Sequence, residues 1–312
     1  MFFIDSLELD RLIRLVRERH SDEAVSEDLR GWSWEGRLSP YENFYFGVGE
    51  LANRYCPTYR DIYLRRVLKI QAPYTFKTVR GWVYHAVSAD ALTRVKAVLY
   101  SKGITPGYKI VDYLKPRVKE YVDKILKEYN VDKYLKNEEV KLLRRNSKTL
   151  YNYLILQAAA SVDRVIASSK YLTLDSLVHQ AIPDVVEMRI DGSPIGLSRE
   201  LKVDIYLGRI VADIKTGDIR DFHKYTLAGY ALAIEADKSI PVDYGLIIYL
   251  SVEDDYVKVD KRVFYIGDEL RSEFLEMRDE ATKVILSGRD PGKPLNCPEY
   301  CIYYNICHSG GV

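Results

Sequence analysis

The segment from Glu200 to Gly217 alternates apolar and polar residues with a period of two on both sides of Gly208-Arg209. That pattern permits little except two antiparallel strands joined by a tight turn, because only a strand sends successive side chains to opposite faces. A glycine at the first central position fits a two-residue type II′ loop. With that loop, Leu207 opposes Ile210, Tyr206 opposes Val211, Ile205 opposes Ala212 and Asp204 opposes Asp213. One face is then expected to carry Leu201, Val203, Ile205, Leu207, Ile210, Ala212 and Ile214. The other carries Glu200, Lys202, Asp204, Asp213 and Lys215.

Directly opposed residues have Cβ atoms about 5 Å apart, and like charges there are destabilising. A divalent cation would turn the repulsion between Asp204 and Asp213 into coordination, since hard cations select carboxylate oxygens. Lys215 lies two residues beyond Asp213 on the same face. It can orient water or stabilise negative charge developing on a phosphate. A plain charged face turned to solvent would use the same residues, so the hairpin alone leaves both readings open.

The rest of the chain bounds the setting. With 46 Lys+Arg against 45 Asp+Glu, the net charge of +1 excludes strong global steering toward nucleic acid, though not a local basic groove. A hydrophobic fraction of 47% over 312 residues excludes a disordered chain and supplies one or two domains with a core. No apolar run reaches the roughly 18 residues of a membrane span. Met1-Phe2-Phe3-Ile4-Asp5 has no basic region before its apolar residues, so no secretory signal and a cytoplasmic location are expected. Many charges with only three glutamines (Gln71, Gln157, Gln180) suit a thermophile.

Periodicity predicts helices over the first 30 residues, 49–70 (interrupted near Cys56-Pro57, with Pro57 able to begin a new helix), 81–101, 113–129, 138–168, 221–236 and 267–287. Strand-like runs are Val185–Ile190, Leu201–Leu207, Ile210–Lys215, Tyr244–Leu250 and Val263–Ile266. The tail from Asp290 reads as loop, given Pro291, Gly292, Pro294 and Pro298. The fold class expected is α/β, with a helical first half and an α/β second half.

Four cysteines are too sparse for a disulfide scaffold, but their placement is informative: Cys56 near the start, Cys297, Cys301 and Cys307 at the end. They admit an iron–sulfur cluster, zinc held by all four or by three with His308, or two disulfides. Any of these closes a loop of about 240 residues, which chain-entropy arithmetic values at about 5 kcal/mol. Basic segments at Arg60–Lys69 and Lys141–Lys148, interleaved with Tyr59, Tyr63 and Tyr151, read either as solvated helix faces or as a groove in which bases stack on tyrosines.

Asp204 followed by Asp213-x-Lys215 on adjacent strands resembles the PD-(D/E)xK nuclease core. Gly81-Trp-Val-Tyr-His85 resembles the Gly-x-x-x-His helix of its RecB branch. Tyr230 matches a tyrosine in the helix after the hairpin, and Glu187 an acidic position in the strand before it. One cysteine before this core and three after it are similar to the iron–sulfur RecB-like nucleases, above all the CRISPR-associated Cas-four type and its archaeal Csa branch. Leu29-Arg30-Gly31-Trp32 and the chain length also resemble that branch. Thr226 stands where the family pattern has Gln, Leu201 where it has Gly, and the Cys297–Cys301 spacing is one residue longer than usual.

The resemblance implies a restriction-endonuclease-like core, with an Fe–S region joining the termini. The expected divisions are an N-terminal region with the first cluster cysteine (1–80), a helical region with the motif histidine (81–180), the nuclease core (181–288) and the C-terminal cysteine cluster (289–312). It implies Mn²⁺ or Mg²⁺ held by His85, Asp204, Asp213 and the Ile214 carbonyl. Lys215, Glu187 and Tyr230 are then the catalytic group, and Cys56, Cys297, Cys301 and Cys307 hold a [4Fe–4S] cluster. The implied activity is exonuclease action on single-stranded DNA, 5′→3′, trimming prespacers in CRISPR adaptation. Implied partners are DNA, a CRISPR integrase and other adaptation proteins. A non-catalytic DNA-binding adaptor of the integration complex, and a zinc-stapled protein with surface acids, are the alternatives.

Overall fold

Leu207 pairs with Ile210, Tyr206 with Val211 and Ile205 with Ala212, so the hairpin forms in the expected register. The computed structural model describes residues 6–20, 23–182, 185–253 and 255–309. The N-terminal Met1–Asp5 read for a targeting signal lie outside these. Both turn residues have positive φ, 43° at Gly208 and 80° at Arg209. That is the signature of a type I′ turn, not the expected type II′; its twist matches that of the strands it joins.

Five strands make one sheet in the order β1 (Val185–Ile190), β2 (Leu201–Leu207), β3 (Ile210–Lys215), β4 (Tyr244–Glu253) and β5 (Tyr256–Tyr265). Neighbours are antiparallel except β3 and β4, which are parallel. A parallel pair needs a crossover, and the helix over Lys224–Lys238 supplies it.

The helices are α1 (Ser6–Arg19), α2 (Val48–Ala52), α3 (Arg60–Ile62, running on into a π-turn over Tyr63–Val67), α4 (Phe76–Lys102), α5 (Gly107–Leu114), α6 (Val118–Glu128), α7 (Asn137–Ser168), α8 (Leu174–Ala181), α9 (Lys224–Lys238), α10 (Asp268–Ser287) and α11 (Tyr304–His308). Helix α4 starts five residues earlier than expected, because the Thr75 side chain accepts the Thr78 amide as an N-cap. Pro57 starts no helix; Tyr59, in the left-handed region at φ 57°, precedes Arg60. The expected 113–129 helix breaks around Pro116, and the expected loop after Asp290 contains α11.

The sheet is covered on both faces. One face meets α4 and α7, with α5, α6 and α8 packed behind them in the same core, where Val83, Leu92, Leu150 and Leu154 join Ile214, Leu246 and Ile248. The other meets α9 and α10, where Leu227, Ala231 and Phe274 pack against Val211 and Ile247. Strand β4 thus feeds alternate residues into two cores. This corrects the expectation of one solvent-facing side: Asp213, on the face covered by α9, is only 4% exposed.

The expected single apolar face also divides. Leu201 and Val203 enter the α9/α10 core, whereas Ile205 and Leu207 enter the other. Across the ladder, Met188 and Val186 divide in the same way. The change falls at Glu187 and Asp204, and Glu187 has φ +49°, a left-handed conformation rare for a non-glycine residue. The kink lets the β1–β2 ribbon turn over the sheet and leaves Asp204 at the crossing.

Helix α9 is fixed from behind by a buried ion network. Arg271 donates to both Glu235 oxygens at 2.7 and 2.9 Å, and Arg30 donates to Glu235 at 2.8 Å. The Gly31 and Val242 amides complete it. Such a pair survives burial only because every lone pair is used. Leu29-Arg30-Gly31-Trp32 thereby acquires a structural reason: Gly31 lies so close to α9 that a Cβ would stand 2.1 Å from the Leu232 carbonyl oxygen.

The segments 58–70 and 290–303 meet around the cysteines. Arg60 grips Asp290 through two nitrogens, Thr58 donates to the Gly292 carbonyl, and Tyr303 donates to the Ile70 carbonyl. Cys301 and Cys307 are buried there with Tyr63, Leu64 and Tyr303. Among the described residues, no helix is long and apolar enough to cross a membrane.

Candidate active site

Asp204 is where the β2–β3 ladder stops. Its Oδ2 accepts the Ile214 amide at 2.9 Å, and its Oδ1 lies 3.0 Å from His85 Nδ1 of α4. Burial alone would push the Asp204 carboxyl up. The His85 ring, the Ile214 amide and the Lys215 charge outweigh it and hold Asp204 below the usual carboxylate range. For His85, burial works against protonation, but the charge and hydrogen bond of Asp204, with Asp213 behind, raise its pKa above the ordinary value.

Asp213 shows the opposite behaviour. Burial and the neighbouring Asp204 charge push its pKa up, and Lys215, with Nζ 2.9 Å from Asp213 Oδ2, only partly compensates. That Oδ2 atom is buried and accepts no well-aligned hydrogen bond in the described structure. Two carboxylates with unlike environments therefore share one end of the hairpin, flanked by an imidazole and an ammonium. Perturbed groups gathered this way mark functional sites more often than structural ones.

Tyr230 reaches the same place from α9. Burial and the Asp204 and Asp213 charges raise its hydroxyl well above its ordinary pKa, so it stays a donor. Glu187 lines the narrow cleft with His85, Ser88, Asp204 and Ile214. Its carboxylate is 3.7 Å from Lys202.

Residues 1–310 match the family described as CRISPR-associated exonuclease Csa1. A relative from Saccharolobus solfataricus is 33% identical over 99% of this chain and 100% of its own; one from Thermoproteus tenax is 31% identical over 97% and 99%. Both carry the name CRISPR-associated exonuclease Csa1. The chain belongs to the Csa1 family. For a Csa1 chain, the hairpin acids, Lys215, His85 and Tyr230 are the group the fold brings together.

The four cysteines are free, so the disulfide alternative is not realised. They lie close enough to affect one another: Cys56 and Cys307 raise the Cys297 thiol, after burial, and burial pushes Cys301 up to about 12. Among the described residues, no group of three or more His, Cys, Asp or Glu side chains stands ready-made to hold a metal ion.

Other expectations change. Tyr151 is fully buried and donates to Asp90, and Tyr63 is buried beside the cysteines, so neither can stack on a base. Arg60 and Arg66 are bound to Asp290 and Glu50. Lys141 and Arg144 pair with Glu138 and Asp123. A Cβ at Gly81 would meet Thr216 Oγ1 at an ordinary 3.5 Å, so no steric need for this glycine is visible.

His223 was not among the expected site residues. It is buried behind Lys215, with Nδ1 3.1 Å from the Tyr249 hydroxyl. Burial and the charges of Lys215 and Arg220 lower its pKa to about 3, keeping it neutral. Tyr249 is the β4 register partner of Lys215; in sequence nothing links these residues, and only the parallel pairing reveals them. Thr226, one turn before Tyr230, is 2% exposed, and its hydroxyl has no hydrogen-bond partner in the described structure.

Proposed function

We propose that this Csa1 chain is a Mn²⁺- or Mg²⁺-dependent exonuclease that degrades single-stranded DNA 5′→3′ and trims prespacers before a CRISPR integrase inserts them. The observation that carries this reading is the meeting of Asp204, Asp213 and Lys215 at the covered end of one hairpin, with His85 against Asp204. The donor set of two carboxylates, an imidazole and the Ile214 carbonyl suits such a cation. The buried Asp213 Oδ2 without an aligned donor is the kind of atom that a cation would satisfy. When bound, the cation supplies an activated water and neutralises charge at the scissile phosphate.

The chain's own groups do the rest. The Ile214 amide fixes the orientation of Asp204. Lys215 keeps a positive charge on the Asp213 side of the hairpin, where negative charge on a phosphate oxygen would develop. Tyr230, still protonated, donates a hydrogen bond toward the acids or the phosphate. Glu187 lines the cleft as an acceptor for a water proton. A [4Fe–4S] cluster on Cys56, Cys297, Cys301 and Cys307 would clamp the two ends of the chain, as their donor chemistry allows.

The test is a time course on DNA strands labelled at either end, with Mn²⁺, with Mg²⁺ and with chelator. Stepwise loss of nucleotides from the 5′ end of single strands, absent in chelator, is the expected result. Undiminished cleavage in chelator, or no cleavage under any condition, would overturn the reading.

A further inference from the structure

A second and larger cavity, of about 610 Å³, lies beside the cysteine arm at the start of α4. Its wall includes Tyr74, Trp82, Tyr303, Arg65 and Lys69. We propose that this cavity holds one unpaired nucleotide of the DNA strand, with the base on Tyr74 and Trp82 and the phosphate toward Lys69 and Arg65. The inference rests on the nuclease reading above and adds how the strand is recognised.

The aromatic wall is preformed. Tyr74 and Trp82 meet edge-on with ring centroids 5.4 Å apart, and Tyr134 backs both at 4.6 and 6.0 Å. Tyr74 is nevertheless 49% exposed, so its ring is available from outside. Rings fixed in advance lose little entropy on binding, and stacking on them tolerates any base.

The charge is suited to a phosphate. Glu50, the acid in the wall, is already bound through both oxygens by Arg66 and lies 3.9 Å from Arg65. One carboxylate between two guanidiniums leaves a net positive charge. Lys69 is exposed and makes no ion pair among the described residues. A volume of this order is ordinary for a small-molecule site.

Position links the cavity to the hairpin. Trp82 precedes His85 by three residues of α4, about 4.5 Å along the helix axis. Arg80, two residues before Trp82, donates to the Thr216 carbonyl directly after Lys215 at 2.5 Å. Thr78 and Trp82 of the cavity wall and His85 and Ala89 of the cleft wall thus follow one another along α4. A base held in a duplex stack cannot enter such a pocket without unpairing, so the cavity selects single strands.

The test measures binding of decathymidylate and of a matched duplex by anisotropy and by tryptophan quenching, in chelator so that no strand is cut. Tyr74→Ala should weaken the single-strand complex about 5- to 150-fold, the range for losing one stacked base. Lys69→Glu should weaken it too, with a shallower dependence on salt. Trp82→Phe, which removes the indole at the cavity wall, should lose most of the tryptophan quenching. Single-strand affinity unchanged in both Tyr74→Ala and Lys69→Glu, or equal binding of the duplex, would overturn the proposal. Cleavage that survived Asp213→Asn would remove the nuclease reading but leave this binding result standing, so the two failures are distinguishable.

Discussion

His85 Nδ1 and Asp204 Oδ1 stand 3.0 Å apart, joining the long helix α4 to the hairpin. Asp204 and its hydrogen bond are what lift His85 above its ordinary pKa against the effect of burial. Asp204→Asn should therefore drop the His85 pKa below about 6.5, read from its imidazole resonances across a pH titration. The sign fixes the window in which the pair stabilises the fold. A lowered Asp contributes above its unfolded value and a raised His below its own, so the contribution is complete between about pH 4 and 6.5. An unmoved His85 pKa would show that the contact is not an ion pair.

His223 gives a second pH dependence. Its pKa of about 3 lies below the ordinary 6.5, so the unfolded chain takes up a proton that the folded chain refuses. Stability is present above pH 6.5 and falls as pH drops toward 3, by about 1.4 kcal/mol per pH unit once below about 6. Urea titrations at pH 7 and pH 5 should show a smaller acid loss in His223→Gln than in the unsubstituted protein. Equal losses would contradict the buried neutral histidine.

The pairing of Ile205, Tyr206 and Leu207 with Ala212, Val211 and Ile210 was legible because a period-two pattern around a tight turn leaves one pairing. The ladder ends there, so the expected opposition of Asp204 and Asp213 is not one of its pairs. Strands β1 to β3 fall on the expected residues for the same reason. Strand β5 was legible only at Val263–Ile266, since its edge position lets charges such as Lys258 and Asp260 interrupt the apolar pattern. The covering of Asp213 by α9 was not legible, because it depends on the crossover between β3 and β4. Nor were Glu235 and Arg271, 36 residues apart and meaningless as a pair until α9 and α10 pack.

Glu235→Gln tests that packing. It would leave the fully buried Arg271 with only Asp243, 3.7 Å away and already paired with Arg30, as compensating charge, which costs about 3–5 kcal/mol. Chemical denaturation should show a lower midpoint with an unchanged m value. A change below about 1 kcal/mol would mean that the network is only a passive by-product of packing.

The two motif glycines should behave oppositely. Gly31→Ala forces a Cβ against the backbone of α9 and should cost about 3 kcal/mol. Gly81→Ala meets only an ordinary contact inside a helix and should gain about 0.5–1 kcal/mol. Thermal unfolding of the two variants side by side reads the difference. A tolerated Gly31→Ala would contradict the close approach of the N-terminal strap to α9.

Mn²⁺ binding and strand cleavage measured together on Asp213→Asn protein test the central claim most directly. The substitution keeps the shape of the side chain and removes the charge facing Asp204. Bound Mn²⁺, counted by electron paramagnetic resonance, and cleavage of end-labelled single strands should both disappear while the circular dichroism stays that of the folded protein. A folded Asp213→Asn protein that still bound Mn²⁺ and cut DNA at the original rate would contradict the account.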